Sequence, residues 1–133
     1  MALQLSVAAR NAMLDALETA TGTAAIMRIR TGAVPATCAT ADSGTVVATL
    51  NLPSDWMAAA SGGTKALLGT WQDASADATG TAAHFRIYDS AGTTCHMQGT
   101  VGTSASDLIV DSVSFTAGQQ FTVTGFTLTA PNA

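Results

Sequence analysis

The pattern of apolar and polar residues changes at Gly22. Before it, residues 6–20 are good helix formers, with Ser6 suited to cap the helix and Gly22 to end it. Helical spacing places three apolar residues of this segment on one face: Val7, Leu14 and Leu17. The basic residue Arg10 lies opposite them. The pattern predicts one amphipathic helix. Because its apolar stripe is narrow and rich in alanine, we expect the helix to contribute more to attachment to a neighbouring subunit than to the core.

After Gly22, short runs of alternating apolar and polar residues are separated by turn residues, which is typical of half-buried strands. Strands are predicted at 24–30, 45–52, 65–71, 81–88, 93–101, 108–115 and 120–129. We expect hairpin turns at 89–92 and 116–119 and a short helical turn at 54–60. Gly125 interrupts the alternation of the last strand, as a β-bulge does.

These signals predict a mainly β fold, an antiparallel two-sheet β-sandwich of jelly-roll-like or immunoglobulin-like type with an N-terminal amphipathic helix. The predicted organisation is a helical attachment segment at 1–22 and a β-sandwich domain at 23–133. In the strand at 81–88, alternation directs three polar side chains outward: His84, Arg86 and Tyr88. They form a plausible contact stripe, since arginine and tyrosine are enriched among interface anchors.

The composition favours a surface covered by protein neighbours. Alanine, threonine, glycine and serine make up 70 of the 133 residues, and only 11% are charged, against about 25% in an ordinary soluble domain. The net charge of −4 argues against binding to a phosphate backbone, so no direct nucleic-acid partner is expected. No apolar run is long enough to span a membrane, and the first five residues lack the features of a secretory signal. We therefore expect folding in a cytosol.

No set of residues predicts catalysis, so we expect no enzyme activity, no cofactor and no metal site. The best metal set, Cys38, His84, Cys95 and His96, lacks the paired spacing of a zinc site. Alternation along 93–101 places Cys95 with Met97 on the apolar face, away from His96. Free, buried thiols are expected in a reducing compartment, and a Cys38–Cys95 bridge formed after release from the cell is the alternative.

Two further groups have structural and functional alternatives. The aspartate pairs at 73 and 77 and at 107 and 111 fit turn capping better than calcium binding. Trp56 and Trp71 lie near turn signals and fit core positions better than a carbohydrate-stacking platform. The candidate interface residues are Val7, Arg10, Leu14, Leu17, Trp56, Trp71, His84, Arg86 and Tyr88.

Several stretches together carry a family resemblance. They are Arg-Ile-Arg-Thr-Gly (28–32) with Pro35, the run 48–56 ending in Leu-Pro-Ser-Asp-Trp, and the run 69–99 ending in Thr-Cys-His-Met-Gln-Gly. Over nearly its whole length the chain resembles a family of small, mostly uncharacterised virion-type structural proteins of tailed bacteriophages and prophages. The resemblance implies a phage virion component with no catalytic residues, made in the cytoplasm of the bacterial host.

The expected function is that of a capsid decoration or cement protein, which would stabilise an icosahedral head by binding through its N-terminal helix or its sheet edges. The expected partners are further copies of the chain and other virion proteins, such as the major capsid protein. A tail or head–tail accessory subunit is one alternative. The other is a host-surface module that binds carbohydrate through Trp56, Trp71 and Tyr88.

Overall fold

A computed structural model describes residues 3–133, so Met1 and Ala2 of the predicted 1–22 segment lie outside the described residues. Within them the chain forms one helix and ten strands, and the mainly β prediction with an N-terminal helix is confirmed. The elements are α1 (Val7–Thr21), β1 (Ile26–Arg30), β2 (Val46–Asn51), β3 (Thr64–Ala66), β4 (Gln72–Asp73), β5 (Gly80–Thr81), β6 (His84–Tyr88), β7 (Cys95–Gly102), β8 (Leu108–Val110), β9 (Ser114–Phe115) and β10 (Phe121–Thr129). The helix described here is not long and apolar enough to cross a membrane.

The two predicted caps of α1 are confirmed. The Ser6 hydroxyl accepts a hydrogen bond from the Ala9 N–H at 3.1 Å, which satisfies one of the free donors of the first turn. Gly22 takes a φ of +93°, a conformation that favours glycine, and its N–H donates to the Glu18 carbonyl at 2.9 Å. The helix therefore begins and ends where local chemistry satisfies its terminal groups.

Most strands join one curled mixed sheet in the order β2-β1-β6-β7-β8-β10-β3, with β4 also paired to β10, while β5 and β9 form a small second sheet. The predicted β6–β7 hairpin is confirmed, and the Gly92 N–H donates to the Asp89 carbonyl in its turn. The bulge at Gly125 is also confirmed by a register shift between Val123 and Gly125. One pairing differs from the antiparallel prediction, because β7 and β8 run parallel.

Three local predictions are wrong where long-range contacts decide the backbone. Residues 54–60 form no helical turn; instead Met57 bridges to Leu67, and the Ala58 N–H donates to the Ala66 carbonyl at 2.9 Å. The predicted strand at 65–71 is limited to β3, since the chain then turns at Gly69. The predicted strand at 108–115 divides, because β8 pairs with β10 whereas β9 pairs with β5.

The sheet curls around a hydrophobic core, and irregular segments cover both of its edges. At the β2 edge, the Thr49 N–H donates to the Asp73 carboxylate at 3.0 Å, and the Asp77 N–H donates to the Val47 carbonyl at 2.8 Å. At the β3 edge, residues 56–61 provide the partners. Four aromatic side chains form a chain of ring contacts through the core, with centroids 5.4–5.9 Å apart: Trp56, Trp71, Phe126 and Phe85.

A buried lysine holds α1 against the sheet. The Lys65 side chain is only 1% exposed, and its ammonium group lies 2.6 Å from Asp15 and 3.0 Å from Glu18, both on α1. The same two carboxylates accept hydrogen bonds from the backbone N–H groups of Ala60 and Met57. Burial lowers the pKa of Lys65, but the hydrogen bonds and charges of Asp15 and Glu18 outweigh burial, so the pKa lies above its ordinary value.

Arg10 was predicted to lie opposite the apolar stripe of α1. It is instead buried, on the same side of the helix as Leu14. Its guanidinium donates to the Ala130 carbonyl at 3.1 Å and lies against Gly63, where an added Cβ would collide with it. Leu14 is buried on the same side of α1. These contacts pack the helix against the rest of the described chain. The expectation that it contributes more to attachment than to the core stays a prediction.

We predict that Lys65→Met lowers the free energy of unfolding by about 2–3 kcal/mol, because the substitution leaves two carboxylates without their cation. The loss stays at the lower end for a broken buried pair, since the Asp15 side chain remains half-exposed. Urea unfolding at neutral pH measures it. The control is Thr70→Ala, at an exposed position whose side chain forms no hydrogen bond within residues 3–133, with an expected change within about 0.5 kcal/mol. Equal losses in the two variants would contradict the anchoring role of Lys65.

Candidate functional site

Most of the predicted interface residues lie inside the fold. Val7 and Leu17 are exposed, at 52% and 39%. The other seven are buried: Arg10, Leu14, Trp56, Trp71, His84, Arg86 and Tyr88. Trp56 and Trp71 are core residues, as favoured above, and their indole N–H groups donate to the carbonyls of Gly22 and Trp56. The buried residues are therefore unavailable as ready surface contacts.

Residues 31–45, which we call the cover segment, explain why the β6 residues are buried. His84, Arg86 and Tyr88 were predicted to point outward into an exposed stripe, and the exposure is wrong because this segment lies over them. His84 Nδ1 lies 2.8 Å from the Gly32 carbonyl, and the Arg86 guanidinium donates to the Thr37 carbonyl at 3.0 Å. Gln98 on β7 donates to the Pro35 carbonyl at 2.7 Å.

One partly exposed carboxylate of the cover segment, Asp42, caps three buried polar side chains of the sheet. We call this group the Asp42 cluster: Arg30, Asp42, Arg86 and Tyr88. Asp42 pairs with Arg30 at 3.1 Å and with Arg86 at 2.8 Å, and it accepts a hydrogen bond from the Tyr88 hydroxyl at 2.6 Å. A single carboxylate thus balances two guanidinium groups. Among the described residues, Arg30 Nε and His84 Nε2 are buried without a hydrogen-bond partner.

The cluster shifts the ionisation of its members. Burial raises the pKa of Asp42, but hydrogen bonds from Tyr88 and Arg86 and the charges of the two arginines outweigh it, so the pKa lies below its ordinary value. Burial, reinforced by the hydrogen bond to Asp42, raises the pKa of Tyr88. An ionised carboxylate and a neutral phenol give a stable tie between the cover segment and the sheet. They do not form a nucleophile–base pair, because Asp42 is already held by two cations.

The residues weighed as metal ligands are not assembled around one point. Within residues 3–133, no group of three or more histidine, cysteine, aspartate or glutamate side chains is placed to hold a metal ion. The two cysteines come close to each other, with their Sγ atoms 3.0 Å apart. Placing Cys95 on the same face as Met97 was wrong. A bulge in β7 pairs Met97 with Ile87 but Cys95 with Tyr88, so the phase of the strand changes at His96.

The loop aspartates act mainly within the fold. Asp73 accepts from the Ser75 N–H of its own turn as well as from Thr49 on β2. Asp77 accepts from the Thr49 hydroxyl at 2.6 Å. Asp107 accepts from the Thr100 N–H at 2.9 Å, which holds the short connection between β7 and β8. The capping interpretation is confirmed for Asp73.

An exposed apolar surface lies between α1 and the end of β10, and we call it the α1–β10 groove. It encloses about 190 Å³ and is lined by Met13, Leu14, Leu17 and residues 128–131. Met13 is 46% exposed, although it is a large apolar side chain. Met13 was missed in the sequence, but its spacing of four residues from Leu17 is the signal that could have identified it.

Comparison of the chain with protein-family models, with curated proteins and with solved structures finds no match. The resemblance to phage virion proteins therefore stays an expectation based on the segments quoted above.

We predict that Asp42→Asn lowers the free energy of unfolding at pH 7 by about 1–2 kcal/mol. The loss is moderate because the Asp42 side chain is 40% exposed and solvent screens its charge. The folded-state pKa of Asp42 is lower than its ordinary value of 3.8. The stabilisation that ionised Asp42 gives the folded state is therefore complete above pH 3.8. It is lost as the pH falls from there towards the folded-state pKa.

Urea unfolding of the wild type and of Asp42→Asn between about pH 7 and pH 2 measures both effects, and the variant should show the smaller acid loss. Asp111→Asn is the control, since Asp111 is exposed and forms no ion pair within residues 3–133. If Asp42→Asn and the control have the same pH profile, the Asp42 cluster does not hold the cover segment as described.

Proposed function

We propose that this protein is a bacteriophage virion structural protein, a capsid decoration or cement protein that associates with itself and with the major capsid protein. It would stabilise the head by adding contacts that only the assembled state can make. No catalysed reaction or cofactor is part of the proposal. We also propose that the curled mixed sheet and the small second sheet together form a jelly-roll-like sandwich.

The observation that carries the proposal is the α1–β10 groove. Met13 and Leu17 project from a helix that the sheet already fixes through Lys65, so they are held in place and yet remain in contact with water. Leu3 and Val7, which precede them, are also exposed. Exposed apolar side chains that line a groove on a charge-poor chain favour contact with another protein.

The rest of the surface supports the same choice. Both edges of the main sheet already have partners, at β2 from residues 73–77 and at β3 from residues 56–61. Of the two attachment modes expected, this favours the helix over the edges of the main sheet. Only 11% of residues are charged, and four of the five basic ones are buried, so few charged groups would need to be desolvated in an interface.

The residues expected to bind carbohydrate in the alternative hypothesis are not on the surface. Every phenylalanine, tyrosine and tryptophan of the chain is buried, including Trp56, Trp71 and Tyr88. A sugar-stacking surface needs an exposed ring face, which these side chains do not offer. A tail or head–tail accessory subunit uses the same kind of surface as a decoration protein and stays the alternative within the virion class.

We predict that the double variant Met13→Glu, Leu17→Glu loses both self-association and incorporation into phage particles, because two charges in the groove would have to be desolvated on contact. Its melting temperature should stay close to that of the wild type, since both side chains are exposed. Light scattering over a concentration series measures association, and quantitative mass spectrometry of purified particles measures incorporation.

Leu68→Glu is the matched control, because Leu68 is 41% exposed but does not line the groove. It should behave as the wild type in both assays. A wild-type protein that stays monomeric at high concentration and is absent from purified particles would refute the proposed function. Equal losses in the control and the double variant would refute the role of the groove.

A further inference from the structure

Two half-exposed cysteines meet where the cover segment lies over the sheet. Cys38 belongs to the cover segment, and Cys95 is the first residue of β7. Their Sγ atoms are 3.0 Å apart, closer than the roughly 3.5–4.0 Å of optimal contact between non-bonded carbon atoms. The pair is brought together across 57 residues of sequence, and it depends on the β7 bulge, which puts Cys95 on the face of Tyr88.

We propose that Cys38 and Cys95 form an intramolecular disulfide bond in an oxidising medium, and that this bond locks the cover segment over β6 and β7. The inference is independent of the proposed function. It selects the Cys38–Cys95 bridge, which the sequence left open as the alternative to free thiols.

The cover segment is a part of the chain that such a bond would stabilise. It contains no helix or strand of its own. Side-chain contacts to the sheet hold it, chiefly through Asp42, through the carbonyl of Thr37 bound by Arg86 and through the carbonyl of Pro35 bound by Gln98. A covalent link that closes a long loop restricts the unfolded chain and so favours the folded state.

Solvent reaches the pair from outside the core. A depression of about 230 Å³ is lined by both cysteines and, among others, by Thr40, Asp42 and Thr93. Neither Cys38 nor Cys95 is fully buried. A small disulfide-containing oxidant can therefore approach without opening the core.

The reaction is a thiol–disulfide exchange with an oxidant such as oxidised glutathione. The Cys38 sulfur attacks the glutathione disulfide, forms a mixed disulfide and releases one glutathione thiolate. The Cys95 sulfur then attacks Cys38 Sγ, forms the internal bond and releases the second thiolate. The two cysteine protons end on two molecules of reduced glutathione, and the two electrons lost by the protein reduce the oxidant.

The order of attack follows from the environment of Cys95. Burial and the hydrogen bond with Cys38 raise the pKa of Cys95 to about 12, against the opposing charge of Arg86. Cys95 is therefore a protonated thiol near neutral pH and a poor first nucleophile. Cys38 belongs to the outer cover segment and lines two surface depressions, whereas Cys95 lines one of them. Cys38 is therefore the residue that meets the oxidant first, and Cys95 resolves the mixed disulfide.

The test uses the full chain, purified with its thiols reduced and then exposed to oxidised glutathione. We expect intact-mass spectrometry to show the loss of two hydrogen atoms without added glutathione, and peptide mapping to join the peptides of Cys38 and Cys95. The melting temperature should rise by about 5–15 °C and return to its starting value on reduction.

Cys38→Ser and Cys95→Ser are the controls, and oxidant should not raise the melting temperature of either. Each variant should instead take up glutathione at its remaining cysteine, faster at Cys38 in Cys95→Ser than at Cys95 in Cys38→Ser. Thiols that stay free, stable glutathione adducts in the wild type, or disulfide-linked dimers would overturn the proposal. An internal bond without any rise in melting temperature would overturn its locking role.

Discussion

Burial of basic side chains is the constraint on which the arrangement of this fold depends. Four of the five basic residues are buried, Arg10, Arg30, Lys65 and Arg86, and each needs an oxygen partner inside the fold. Their partners come from other segments: Lys65 binds the carboxylates of α1, the two strand arginines bind Asp42, and Arg10 binds a carbonyl near the C-terminus. The few charges of the chain thus serve to join the helix and the cover segment to the sheet.

Local chemistry explains what could be predicted from the sequence. The caps of α1, the turn between β6 and β7 and the bulge at Gly125 were predicted correctly, because each depends on residues close together in the chain. The helical turn at 54–60 was not, because burial of Trp56 and pairing with β3 outweigh the local preference. Parallel pairing of β7 with β8 likewise depends on a contact that no local pattern reveals.

The candidate site shows the same division. Alternation along β6 separates the two faces of the strand correctly, but it cannot tell that residues 31–45 return to cover one of them. The ion pairs that hold that return come from Asp42, a single acidic residue in a segment without periodic pattern. One extra residue in β7 was enough to move Cys95 to the opposite face and beside Cys38. The exposed pair of Met13 and Leu17, in contrast, has a spacing that a closer reading of the helix would detect.

The covered edges of the main sheet have a consequence for the protein at high concentration. An open edge strand presents a row of unpaired N–H and C=O groups, which can recruit strands from other chains and begin cross-β growth. Here the Asp73 carboxylate accepts from a backbone N–H of β2, and the backbone N–H of Asp77 donates to a carbonyl of β2. The backbone of residues 56–61 binds the backbone of β3 in the same way. In a chain rich in threonine, a residue that favours strands, these contacts make the two edges poor templates for fibril growth while the protein is folded.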